Sequence, residues 1–151
     1  MIPKFRAWDT EHGQWSEEFF VYSKGGLYTP NYGFNRKHLK NRTDVYPIVK
    51  QERLILMQST GLFDKNGKEI FEGDVVKCYI VTEKGEYEYV GVVCLKDFAF
   101  VIVDEKDTYD PLWNYKSGFV DEETEIEIIG NVYQNPGLVE GVGYGKIKKY
   151  V

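Results

Sequence analysis

Cysteine, histidine and proline are scarce in this chain, at two, two and five among 151 residues. Cys78 and Cys94 fall in separate predicted strands, and a disulfide or redox pair between them is the lesser reading. In a reducing compartment they read as two small apolar wall residues. His12 and His38 stand far apart, and with no close cysteine spacing they give no zinc signature. No motif joins a cysteine to a histidine as a nucleophile pair, so no catalytic residue, metal ligand or cofactor site is assigned. No apolar run is long enough to cross a bilayer, and the opening Met1–Arg6 lacks the apolar core of a signal peptide. The expectation is a cytoplasmic, non-enzymatic protein with no membrane partner.

Aromatic residues are plentiful, at 16% of the chain, led by 12 Tyr and 9 Phe, and this favours strands over helices. Lys4–Asp9 and Trp15–Tyr22 read as strands around the turn Glu11–Gln14, and Leu27–Thr29 as a third, giving an aromatic β-meander. Asp64–Lys68 contains Asn66-Gly67 and predicts a hairpin turn, while Gly73-Asp74 reverses the chain into an apolar strand, Val75–Val81. Tyr87–Leu95 is its expected partner, with Gly91 marking a bulge or bend. Phe98–Val103 follows after a turn at Lys96-Asp97, then weaker segments at Leu112-Trp113 and Gly118–Val120, and last Glu125–Tyr133. Phe98, Phe100 and Ile102 are expected to share a core face with Val76, Ile80, Ile126 and Ile128. Short strands, tight turns and no crossover helix make an antiparallel barrel or roll.

Formal net charge is −5, unevenly spread. Met1–Arg53 holds nine Lys/Arg against six acids, whereas Asp97–Glu127 holds two lysines against ten acids. Two apparent phosphate loops fail on spacing. Gly61 and Gly67-Lys68 enclose five residues where a P-loop needs four, with Glu69 in place of the Ser/Thr. Gly141-Val142-Gly143-Tyr144-Gly145 has no following helix or acid of a dinucleotide fingerprint. Glu125 and Glu127, on one strand face beside Asp121-Glu122-Glu123, read as a solvated acidic face. The positive signal is Tyr32–Arg42. Tyr32 and Phe34 could stack on bases, while Arg36, Lys37, Lys40 and Arg42 could meet phosphates. The rival reading is a solvated basic loop that balances the acidic stretch, within one chain or between copies.

The order and spacing of Lys4–Asp9, Leu56-Met57-Gln58, Thr60-Gly61-Leu62, Asp64–Glu69, Glu72–Val76 and Ile129–Tyr133 with Asn135-Pro136 resemble the YopX family of phage and prophage proteins. That resemblance implies a β-rich fold with an SH3-like barrel and a phage or prophage setting, and it brings no catalytic residue. The resulting expectation is a mostly β chain. Residues 1–53 form the meander and basic loop, 54–136 a small antiparallel SH3-like barrel, and 137–151 a glycine-rich basic tail. Its expected role is that of a protein-interaction or self-association module. The alternative is nucleic-acid binding through residues 32–42.

Overall fold

The computed structural model describes residues 2–31, 48–106, 108–115 and 123–142. These residues form antiparallel sheets and two 3-10 turns, with no α-helix among them. Two compact units divide the chain, one of Arg6–Leu56 and one of Met1–Phe5 with Met57–Val151. Strands β1 (Phe5–Asp9) and β6 (Leu54–Phe63) contribute residues to each.

In the larger unit a curled five-stranded half-barrel has the order β11 (Tyr109–Pro111), β10 (Ala99–Asp104), β9 (Gly85–Lys96), β8 (Asp74–Thr82), β12 (Glu123–Asn131). A buried apolar cluster lies on each face of this sheet. The register opposes Val75 to Val92 and Cys94 to Val101, and these four join Val103, Val132 and Val139 in one cluster. Through the alternation of strand side chains, Val76, Cys78, Val93, Ile102 and Ile126 face the other way and pack with Ile70, Leu112 and Tyr115. Cys78 and Cys94 are free thiols on opposite faces. Burial pushes the pKa of each up to about 12, so they serve as inert wall residues.

Within the same unit β7 (Glu69–Phe71) pairs with β6 across the Asp64–Lys68 loop. Gly67 takes a positive φ of 79° and its N–H donates to the Asp64 carbonyl at 3.0 Å. Asn66 has no positive φ, so this is a three-residue loop closed by a left-handed glycine rather than a two-residue Asn-Gly turn. Asp64 organises it, accepting from the backbone nitrogens of Asn66 and Lys68 through Oδ1 and from Ile128 of β12 through Oδ2.

Several sequence expectations are corrected here. Phe98 lies outside the core and is fully exposed. The turn falls one residue later, with Lys96 opposite Ala99 and both Asp97 and Phe98 at positive φ, 49° and 66°. Phe100 and Ile102 do share the face of Val76, Ile126 and Ile128, while Ile80 stays outside that cluster. Gly91 is no bulge, since both its pairings run in register. A Cβ there would come within 2.5 Å of Ile102 Cγ2 and 2.8 Å of the Val103 carbonyl, so glycine permits a close strand approach. The bulge lies instead in β12 between Ile128 and Gly130, and it turns Val132 to the face opposite Ile128. Leu112-Trp113 belongs to a 3-10 turn, Leu112–Tyr115, that follows β11 and buries Leu112. Another 3-10 turn, Pro136–Val142, inserts Val139 into the core.

In the smaller unit the expected strand Trp15–Tyr22 is broken. β2 (Gln14–Trp15) pairs with β1, Trp8 opposite Trp15, and the Ser16 N–H still reaches the Ala7 carbonyl. Ser16 Oγ then donates to the Glu18 carbonyl at 3.3 Å and the chain bends away. β3 (Phe20–Val21) pairs with β4 (Leu27–Pro30), which pairs with β5 (Ile48–Lys50).

Two substitutions separate these backbone effects. Phe98→Gly is expected to raise stability by about 1 kcal/mol, because it relieves a left-handed residue that buries nothing. Gly91→Ala is expected to cost about 1–3 kcal/mol through the clash with β10. Urea unfolding measures both, and a destabilising Phe98→Gly would refute the turn geometry.

Candidate functional site

Residues Tyr32, Phe34, Arg36, Lys37, Lys40 and Arg42 all lie outside the described residues, as does His38. A concave site among the described residues is built elsewhere, in the smaller unit. It is a cleft of about 710 Å³ between the Asp9–Glu18 segment, the end of β4 and the Val49–Arg53 segment.

A connected polar chain forms its wall. Asp9 ends β1 and caps its own turn, accepting from the backbone nitrogens of Glu11 and His12 through Oδ1 at 3.0 and 3.1 Å. Its Oδ2 accepts from His12 Nδ1 at 2.9 Å and from Arg53 Nε at 3.0 Å. Arg53 Nη1 donates to Gln51 Oε1, and Gln51 Nε2 donates to Thr29 Oγ1 at 2.7 Å. The Arg53 backbone is fixed as well, since its carbonyl accepts from both Thr10 Oγ1 and Thr10 N–H. Trp15, Pro30 and Val49 supply apolar lining, and Glu17 and Glu18 add carboxylates. Trp15 is itself held, edge-on to Trp8 at 5.0 Å with the Arg6 guanidinium 4.5 Å from its ring centre.

Asp9 is 5% exposed. Burial alone would raise its pKa, but hydrogen bonds from His12, Arg53 and the backbone of His12 and Glu11 outweigh it and hold the carboxyl well below the usual range. Asp9 is therefore ionised, and His12 donates to it through Nδ1–H. His12 is thus an exposed ring held in orientation at the edge of the cleft. The turn was expected at Glu11–Gln14, and the structure begins it earlier, at Asp9, whose carbonyl accepts from the Gly13 N–H at 2.9 Å. The pairing of Asp9 with Arg53, 44 positions away, had no local signal.

Two other polar clusters lie in the larger unit. Asp110 accepts from the hydroxyls of Tyr89 and Tyr115 through Oδ2 and from Asn114 Nδ2 through Oδ1, beside buried Cys78. Burial raises the pKa of both tyrosines, so the cluster is a closed structural network of neutral donors on one carboxylate. Lys65 lies 3.6 and 3.3 Å from Glu125 and Glu127, which share a strand face as expected, and Lys77 lies 3.3 Å from Glu88. Asp104 accepts from the backbone nitrogens of Lys106 and Thr108. Several acids of the 97–127 stretch therefore hold local structure. Asp107, Asp121 and Glu122 lie outside the described residues.

The family model described as YopX protein matches residues 4–140. The chain is similar to the crystal structure of protein YopX from Bacillus subtilis, at 26% identity and a TM-score of 0.52, covering 90% of this chain and 97% of that one. It is also similar to that of protein EF1440 from Enterococcus faecalis, at 25% identity and a TM-score of 0.51, covering 93% and 99% respectively. No curated protein matches the chain.

A carboxyl whose pKa is depressed by folding stabilises the fold above the ordinary aspartate range and loses that contribution as pH falls through its folded value. Asp9→Asn is accordingly expected to cost about 1.5–3 kcal/mol near neutral pH. It should also flatten the loss of stability below about pH 4. Denaturant unfolding from pH 7 downward measures this. Parallel curves for variant and parent would show that Asp9 is not the buried anion of the wall.

Proposed function

The chain belongs to the YopX family, and from that premise we propose that it is a non-enzymatic phage or prophage accessory protein that works in the host cytoplasm as a protein-interaction module. Its binding surface is the cleft of the Arg6–Leu56 unit, and its partner is another protein or a second copy of the chain. The observation that carries this reading is the prearranged wall His12–Asp9–Arg53–Gln51–Thr29 lining a cleft of about 710 Å³. The volume falls within the roughly 300–1,000 Å³ of ordinary ligand clefts. Fixed polar groups beside Trp15 and Val49 bind at low ordering cost, because their entropy was lost on folding. Aromatic and arginine side chains are also the types that dominate protein recognition energetically.

Nucleic-acid binding through residues 32–42 stays the alternative, and no described residue adds to it.

Selection from a displayed peptide library on the purified protein, followed by fluorescence titration of the enriched peptides, tests the proposal. Val49 is half-exposed and lines the cleft, so Val49→Lys obstructs it without disturbing the core. Enriched peptides are expected to bind the parent and to lose tenfold or more on this variant, roughly 1.4 kcal/mol. Sedimentation of the two proteins reads out self-association in parallel. Peptides that bind parent and variant equally, or oligonucleotides that bind when no peptide does, would overturn the proposal.

A further inference from the structure

The chain contains a single Asn-Gly pair, Asn66-Gly67, and its other six asparagines precede Tyr, Arg, Val or Pro. A glycine after asparagine leaves its main-chain nitrogen unshielded, since it has no Cβ, and this makes the asparagine chemically labile. Both residues are exposed in the loop between β6 and β7, and a Cβ on Gly67 would meet nothing within 4 Å. Water and hydroxide therefore reach the pair freely. The loop nevertheless pins the peptide between them. The Gly67 N–H donates to the Asp64 carbonyl at 3.0 Å, and the amides on either side, Asn66 and Lys68, both donate to Asp64 Oδ1 at 2.9 Å. Swinging the Gly67 nitrogen onto Asn66 Cγ breaks the first of these bonds and disturbs the other two. Asp64 is buried, and although burial would raise its pKa, backbone hydrogen bonds from Ile128, Lys68 and Asn66 hold it below the usual range. Its negative charge, seated among these amides, opposes loss of the Gly67 amide proton.

We propose that Asn66-Gly67 is a site of spontaneous deamidation and isomerisation that Asp64 holds closed in the folded chain. In the reaction the Gly67 amide nitrogen gives its proton to solvent base and bonds to Asn66 Cγ. The Cγ–Nδ2 bond breaks, and the amide group takes a proton from solvent and leaves as ammonia. The resulting five-membered succinimide adds water at either carbonyl, giving aspartate or isoaspartate at position 66. The two products differ in consequence. Aspartate leaves the main chain as it was and adds only a charge. Isoaspartate routes the main chain through the side chain and lengthens the loop by one methylene. The Lys68 N–H and carbonyl, which meet Asp64 Oδ1 and the Asp64 N–H, then lose their register. This loop also grips β12, through Asp64 Oδ2 on the Ile128 N–H and through the Lys65 N–H on the Ile126 carbonyl at 2.9 Å. The isomer therefore loosens that grip. The site lies in the larger unit and does not depend on the cleft.

The test incubates the full chain in mildly alkaline buffer, folded and in urea, beside a synthetic Leu62–Glu69 peptide in the same urea. Mass spectrometry of the digested chain reads deamidation at each asparagine, and chromatography separates the isoaspartyl from the aspartyl product. The unfolded chain is expected to convert at position 66 at the rate of the peptide. The folded chain should convert at least about tenfold more slowly, because the reaction waits on a local opening. Asp64→Ala should close most of that gap. Hydrogen exchange of the parent's Gly67 amide checks the same protection without a variant, and it should be slower than in the peptide by a similar factor. In the purified isoaspartyl chain the Ile128 amide should exchange faster than in the parent, whereas Asn66→Asp should leave it unchanged. A urea-unfolded chain that deamidates no faster at position 66 than at its other asparagines would overturn the site. A folded chain that converts or exchanges as fast as the peptide would overturn the closure by Asp64. An isoaspartyl chain with an unaltered Ile128 amide would overturn the link to β12.

Discussion

The peptide groups on either side of Gly73 tie three strands together. The Gly73 N–H donates to the Val93 carbonyl at 2.9 Å, and its carbonyl accepts from Val132 N–H at 3.0 Å and Asn131 Nδ2 at 3.1 Å. One residue thus links the start of β8 to β9 and to the end of β12. It does so at a φ of 82°, and a Cβ on it would approach Met57 Sδ to 2.9 Å. Only glycine meets both conditions cheaply. Asp74 secures the corner from the other side by accepting from the Phe71 N–H. Asp64 performs a parallel task one loop earlier, joining its own turn to Ile128 of β12. The half-barrel is therefore stitched at two points by short, buried polar bonds, and the apolar clusters fill in around them.

Covering both faces of one sheet imposes its own requirements. A sheet with a single core face alternates apolar and polar residues, whereas β9 carries Val92, Val93 and Cys94 in succession, all fully buried. The second covering layer comes from short, irregular pieces. Leu112 and Tyr115 close one side from a 3-10 turn, and Val139 closes the other from a second. Such pieces bury a few side chains without a periodic stripe. A segment that looks like a glycine-rich tail can thus still contribute core.

What the sequence revealed follows the same division. Turns were legible where the chemistry was local. Gly67 and Gly73 have the positive φ their contexts required, and β8 alternates its faces as its pattern predicted. Errors came where one residue of register decides everything. Phe98 reads as the first apolar residue of a strand, yet the pairing of Lys96 with Ala99 leaves it at the tip of the turn. The β12 bulge similarly inverts the face of Val132, at Gly130, where the strand-glycine signal was read at Gly91 instead. The meander failed at Ser16, where a side-chain bond to the Glu18 carbonyl offered the backbone an alternative to the sheet. The cleft was the least legible feature, because its wall joins Asp9, Thr29 and Arg53 from three distant parts of the chain.

Asp9 carries two roles that pull against each other only under acid. Its carboxylate is costly to bury, and four hydrogen bonds repay that cost by placing Arg53, His12 and the turn backbone around it. Those same bonds neutralise Arg53 inside the wall and orient His12 with its donor inward. The outward chemistry of the cleft is consequently set by a residue that is itself nearly inaccessible. A neutral isostere would keep much of the shape but leave Arg53 less compensated and His12 free to turn. The link between turn and wall is electrostatic, since one buried negative charge both holds the turn closed and fixes Arg53 in place.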